Sequence, residues 1–216
     1  MLNSNVKYTT ATLCQQQLQL CIAVQSFLIS HCAVNLKTMS SVFPTLVLAL
    51  AVALSTSGAG AAYVNNWDEP FQYQCPEGQV LRSVLSVHSN SAEDRRWMFT
   101  CGNAPSGASP STCRWTDDYV NTWDEPISFM CPPNYVLAGV ESYHSDAAED
   151  RRMKFKCCKD PEYKTFSCGM SPYLNSWDSI LTYSVPNGKV LVGWFSVHSN
   201  QAEDRRHKMI YCYYRQ

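Results

Sequence analysis

Apolar and polar side chains alternate along Phe71-Gln72-Tyr73-Gln74-Cys75, and Ile127, Phe129 and Cys131 repeat the apolar half of that pattern. A period of two gives an extended chain one apolar and one polar face, so both stretches read as half-buried strands. Pro-Glu-Gly at 76–78 and Pro-Asn-Gly at 186–188 then read as turns. The β-branched run from Val80 to His88 predicts a second, longer strand. Ser83, Gly139 and Gly193 share one matching position in it, where a small residue marks close packing. A third strand is expected after Ala-Glu-Asp-Arg-Arg, with Trp97, Phe99 and Cys101 on the buried face and Met98 and Thr100 outside. Lys154 and Lys208 stand where Met98 does, which marks that face as the outer one. No stretch after residue 62 keeps a helical apolar period for three turns. The expected class is all-β.

The same unit is written three times, at 63–101, 119–157 and 173–212, and aligns without a gap. Trp67, Trp123 and Trp177 mark the three starts, and Ala-Glu-Asp-Arg-Arg occurs in every copy. Residues 102–118 and 159–172, rich in Pro, Gly, Ser and charge, read as linkers between the copies.

Cysteine placement sets the compartment. The chain of 216 residues holds 11 cysteines. Cys14, Cys21 and Cys32 fall in a patternless, Gln-rich stretch, 1–38, which reads as an upstream extension outside the fold. Met39 opens a segment whose apolar run, Val42–Leu54, is too short to span a bilayer. The small residues after it, including Ala59-Gly60-Ala61, fit signal-peptidase cleavage, so 39–61 reads as a secretory signal and 62–216 as the mature domain. The cysteines left in that domain are even in number, as an oxidised framework requires. Cys75 and Cys101 have counterparts Cys131 and Cys157, while the third copy has Val185 and Tyr211, losing both together. Joint loss predicts the pairs Cys75–Cys101 and Cys131–Cys157. The same logic pairs Cys113 with Cys158 and Cys168 with Cys212, because the first copy lacks both members. Each closure is worth about 3–4 kcal/mol in the chain-entropy account. Adjacent Cys157-Cys158 does not offer the spacing of a thiolate metal site, and neither metal nor cofactor is expected.

A formal charge of −1 supplies no basic field for nucleic acid. The residues that carry chemistry are His88, Glu93, Asp94, Arg95 and Arg96, then His144, Glu149, Asp150, Arg151 and Arg152, then His198, Glu203, Asp204, Arg205 and Arg206. They are expected on a long loop between two strands. Glu93, Asp94, Arg95 and their counterparts fix that loop by charge-assisted bonds. Strand alternation turns Arg95, Arg151 and Arg205 inward, toward an acid of the same loop, and leaves Arg96, Arg152 and Arg206 outside. The outer arginines and His88, His144 and His198 are the candidate ligand-binding residues. Guanidinium forks beside aromatic rings suit sugar hydroxyls, sulfates and carboxylates. A constellation written three times suits a multivalent binder better than an enzyme. No G-x-S-x-G, H-E-x-x-H or glycine-rich phosphate loop is present, so no enzyme is expected.

The string Tyr63-Val-Asn-Asn-Trp-Asp-Glu-Pro-Phe-Gln-Tyr-Gln-Cys75, the Cys-Pro-x-Gly turn and the thrice-repeated Asp-Arg element resemble the dermatopontin family, over residues 63–212. The family's element usually has Glu or Gln after Asp-Arg, where this chain has Arg96, Arg152 and Arg206. That departure points to an invertebrate matrix or lectin-like member. The resemblance implies a secreted, non-enzymatic extracellular-matrix protein. It would mediate cell–matrix adhesion and matrix assembly by binding matrix proteins, proteoglycans or cell-surface glycans. Its alternative is a carbohydrate-binding lectin or haemagglutinin of innate defence, and a shell-matrix or polysaccharide-acting role ranks below both. Tyrosine sulfation occurs in the family, and Tyr119, after Asp117-Asp118, is the acceptor this implies. Three units suggest pseudo-threefold closure, as a β-prism or a β-trefoil. The layout is similar to that of the vitelline-membrane outer-layer proteins, which favours the prism.

Overall fold

The computed structural model describes residues 62–216. The extension at 1–38 and the signal segment at 39–61 lie outside the described residues. The strands are β1 (Phe71–Gln74), β2 (Gln79–Ser89), β3 (Asp94–Asn103), β4 (Thr112–Trp115), β5 (Ile127–Met130), β6 (Val136–Ser145), β7 (Asp150–Lys159), β8 (Lys164–Met170), β9 (Leu181–Ser184), β10 (Lys189–Ser199) and β11 (Asp204–Arg215). The described chain is all-β apart from one short 3-10 turn.

Each copy contributes a short strand and a long hairpin, and the short strand leaves its own hairpin for the next one. Thus β1 of the first copy pairs with β6 of the second, β5 with β10 of the third, and β9 with β2 of the first. The resulting sheets run β1-β6-β7-β4, β5-β10-β11-β8 and β3-β2-β9, every pairing antiparallel. Copies exchanged in cyclic order cannot fold one at a time, and the core reflects this. Trp97, Phe155, Trp194, Leu81, Leu137 and Leu191, drawn from all three copies, belong to one buried cluster.

Every long hairpin carries a bulge after its first few residues, at Arg82, Ala138 and Val192. The next position is the small residue picked out by pattern. A Cβ on Gly139 would lie 2.8 Å from the Tyr73 carbonyl oxygen, and one on Gly193 would lie 2.5 Å from that of Phe129. Those carbonyls belong to the exchanged strands β1 and β5, so the missing side chains let the neighbouring copy in. The preceding turns hold a positive φ at Gly78 and Gly188, and Asn134 takes that conformation in the second copy.

All four expected disulfides are present: Cys75–Cys101, Cys131–Cys157, Cys113–Cys158 and Cys168–Cys212. The segments read as linkers also hold strands, since β4 and β8 form within them and add the fourth strand to two sheets. One expectation is corrected: the acidic–basic string is not a long loop. Only Asn90 to Glu93 bridge β2 and β3, so Asp94, Arg95 and Arg96 already lie on the strand, as do their counterparts on β7 and β11.

Candidate functional site

The segment that opens each copy is tied down by one asparagine. Asn65 Nδ2 donates to the Arg95 carbonyl (3.0 Å), and its Oδ1 accepts from the Trp97 amide (2.9 Å). Asn121 and Asn175 do the same on β7 and β11. The chain then turns through Asp68, Asp124 or Asp178, each at positive φ, whose backbone N–H reaches the buried aspartate of the same copy at 2.9 Å. One clamp therefore presents Tyr63 and Trp67 on the outside and fixes Asp94 inside.

Inside, the arginines pair across copies. Arg151 grips Asp94, Arg205 grips Asp150 and Arg95 grips Asp204, each through Nε and Nη2 at 2.5–2.8 Å. Each Nη2 also donates to a backbone carbonyl, of Glu69, Glu125 or Ser179, at 3.0 Å. All six residues are at most 4% exposed. The inward assignment of Arg95, Arg151 and Arg205 holds. The partner is corrected: it is the aspartate of a neighbouring copy, since exchange of the short strands brings successive hairpins edge to edge. Glu93, Glu149 and Glu203 take no part in these pairs. With φ of 46°, 42° and 43° they line a cavity of about 20 Å³ beside this ring of three ion pairs, large enough for about one water. Burial raises the Glu149 carboxyl above the ordinary carboxylate range, and the charge of Glu93 adds to the shift.

His88, His144 and His198 stand around the same cavity with side chains 1% exposed, so a glycan-sized ligand does not reach them. Nε2 of His88 contacts the Glu203 carbonyl and Nε2 of His198 that of Glu149, both at 3.2 Å. Their Nδ1 atoms meet the amide groups of Asn90 and Asn200. His144 has neither bond. Each of the three imidazoles lies in a group with two aspartates whose ligand atoms fall within 4.8 Å of one another: His88 with Asp178 and Asp204, His144 with Asp68 and Asp146, and His198 with Asp124 and Asp150. Burial, then the charge of Asp94, raises the Asp68 carboxyl above its ordinary value. A fourth histidine, His207, takes the place of Trp97 and Met153. Its Nδ1 accepts from Trp194 Nε1 at 2.9 Å, and burial, with Arg95 and Arg205 beside it, pushes its pKa well below the usual range.

Outside, Arg96 lies over Tyr63 (4.2 Å to the ring centroid) and Trp67 (5.5 Å). Arg152 lies over Tyr119 and Trp123, and Arg206 over Tyr173 and Trp177. Each Nε donates to the carbonyl of Asn65, Asn121 or Asn175. All nine side-chain bearers are half-buried, so each guanidinium is held on an aromatic shelf with part of its surface open. The tyrosines and tryptophans of the shelf are candidate site residues beyond those expected from the sequence. Their signal is the Tyr-x-Asn-x-Trp-Asp string, kept in every copy, which marks the repeat and the family resemblance but not by itself a site. Tyr119 is further engaged, donating its hydroxyl to Glu141 at 3.1 Å.

The profile of the Dermatopontin family matches residues 65–216. A hemagglutinin/amebocyte aggregation factor of Limulus polyphemus is 40% identical over 173 residues, covering 78% of this chain and 95% of the relative. A dermatopontin of Biomphalaria glabrata is 37% identical, covering 70% and 99% respectively. The dermatopontin of Mus musculus is 30% identical, covering 69% and 76%. No solved structure matches the chain significantly.

Proposed function

We propose that this chain, a member of the dermatopontin family, is a secreted, non-enzymatic extracellular-matrix protein that links cells to matrix by binding matrix proteins or glycans at three equivalent sites. The observation that carries this reading is the outer shelf: Arg96, Arg152 and Arg206, each half-exposed over a tyrosine and a tryptophan. A planar cation with unused N–H groups recognises sulfate or carboxylate, and the flanking rings offer flat apolar surface for a sugar face or a partner side chain. Three weak sites on one body gain avidity by effective concentration. The cyclic exchange of strands supports a pseudo-threefold, β-prism-like closure that would spread the shelves around the molecule.

The agglutinating relative from Limulus favours a second reading, a carbohydrate-binding lectin. One experiment separates the two. Immobilised heparan sulfate, collagen and red cells are offered to the purified protein in the presence of rising salt or of free monosaccharides. The matrix reading expects retention on the polyanion or collagen that salt weakens and monosaccharides leave alone. The lectin reading expects agglutination abolished by a free sugar. Absence of binding to all three supports rules out both.

A further inference from the structure

We propose that the second copy carries a binding site for a divalent transition-metal ion of the zinc kind, held by Nδ1 of His144 and the carboxylates of Asp68 and Asp146. Nδ1 lies 3.5 Å from Asp68 Oδ1 and 3.4 Å from Asp146 Oδ1. Zinc–nitrogen and zinc–oxygen bonds of about 2.0–2.2 Å give tetrahedral ligand-to-ligand edges of about 3.3–3.6 Å, so both measured edges already suit an ion seated between the three atoms. The carboxylates are 45% and 85% exposed, leaving the ion's remaining position to water or an outside ligand.

The copies differ in a way that singles this one out. In the first and third, Nε2 meets a backbone carbonyl and therefore carries a proton. Nδ1 there lies 3.1 or 3.2 Å from Oδ1 of Asn90 or Asn200, and an amide side chain meets a protonated ring nitrogen with its oxygen or a bare one with its NH₂. The buried carboxylate in each of those groups, Asp204 or Asp150, is already held by Arg95 or Arg205. In the second copy Asp146 replaces the asparagine. A carboxylate has no hydrogen to give, and both ring nitrogens of His144 lack a hydrogen-bond partner although the side chain is 1% exposed. A cation held between an imidazole lone pair and two carboxylates would match all three. Glu149 Oε2, 3.7 Å from Nε2, adds to the negative charge around the ring. Because Asp68 belongs to the first copy and the other two ligands to the second, the ion would cross-link them.

The test is zinc titration calorimetry on the chelator-stripped protein, repeated with Co²⁺ and read by its visible absorption, which reports a tetrahedral site. Expected are one high-affinity ion per chain and tetrahedral cobalt bands. Asp146→Asn restores the residue that the other copies carry, so its melting temperature in chelator should match the parent's. Its zinc affinity should fall by at least the 10–100-fold that loss of an outer-shell partner costs, to roughly that extent or beyond. Failure to bind either ion, as expected if His144 is simply protonated between its carboxylates, overturns the proposal. Unchanged affinity in Asp146→Asn overturns it equally.

Discussion

Arg95 and Arg96 are neighbours in the chain, identical in chemistry, and end in opposite surroundings. The first is 4% exposed and spends Nε and Nη2 on Asp204 and the Ser179 carbonyl. The second rests on Tyr63 and Trp67 with only Nε engaged. The same division recurs at Arg205 and Arg206 and at Arg151 and Arg152, although Arg152 also donates Nη1 to the Tyr143 hydroxyl at 3.2 Å. Strand alternation alone makes the division, because successive side chains leave opposite faces. What differs is the consequence of each position. The inner guanidinium joins two copies, so its loss is a fault in assembly of the fold. The outer one is placed by its own copy's opening segment, so its loss should leave the fold alone and, on the proposed function, remove a surface for partners.

The contrast breaks most visibly on the inside. Arg95→Ala leaves Asp204 buried without its bidentate partner, and removing one member of a buried pair costs about 3–5 kcal/mol. Denaturant unfolding should show a loss of that size and a melting temperature lower by many degrees. The pair itself need not be a net stabiliser. Its replacement by well-packed apolar residues on both sides is the change that would be nearly neutral. A loss under about 1 kcal/mol for Arg95→Ala would mean that the ring is not what joins the copies.

A smaller break comes from charging the inner layer through His207. Its folded pKa is depressed by burial, with Arg95 and Arg205 adding to the shift, so the native state resists a proton that the unfolded chain accepts near pH 6.5. Stability from this group is therefore fully present above about pH 6.5 and lost as pH falls, by about 1.4 kcal/mol per pH unit until the folded pKa is reached. His207→Met installs the residue that the second copy has as Met153. It strips Trp194 Nε1 of its acceptor, which should cost about 1–3 kcal/mol at neutral pH. Below pH 6.5 the variant should lose stability less steeply than the parent, and urea midpoints at pH 7.5, 6 and 5 would show the gap closing. Parallel slopes would place the acid sensitivity elsewhere.

How much of this could be read from the chain depended on whether the signal was local. Alternation at Phe71, Tyr73 and Cys75 is a mark within one copy, and the joint loss of cysteines at Val185 and Tyr211 and the small residue at Gly139 and Gly193 show when copies are aligned; each points to the observed structure. The side on which Arg95 falls is local too. Its partner is not, because Asp204 is 109 residues away and arrives only through the exchange of short strands. The linker strands were illegible for another reason. Most of Thr112–Trp115 and Lys164–Met170 is exposed or half-buried, so no apolar face was there to see, and disulfides to β7 and β11 hold them in place. His144 shows the limit from the other side. Only a comparison of copies, Asp146 against Asn90 and Asn200, separates it from its fellows, and only the fold brings Asp68 to it.

The smallest stability effect belongs to the outer arginine, and it gives the sharpest reading of the surface. A partly exposed guanidinium over aromatic rings contributes about 0.5–1 kcal/mol, so Arg96→Ala should lower the unfolding free energy by about that much. Binding should respond differently. If the three shelves act together, removing one leaves a bivalent molecule that still profits from effective concentration, and the loss in apparent affinity for a surface-bound partner should be moderate. Adding Arg152→Ala takes away the second contact, and adding Arg206→Ala should bring retention down to background while the melting temperature stays within a few degrees of the parent's. Surface plasmon resonance at low and high ligand density measures this directly, because avidity depends on density and single-site affinity does not. A steep loss with Arg96→Ala alone, equal at both densities, would show one dominant site. Retention by the triple variant would move the binding surface off the arginines altogether, and the division between the two layers would then describe folding alone.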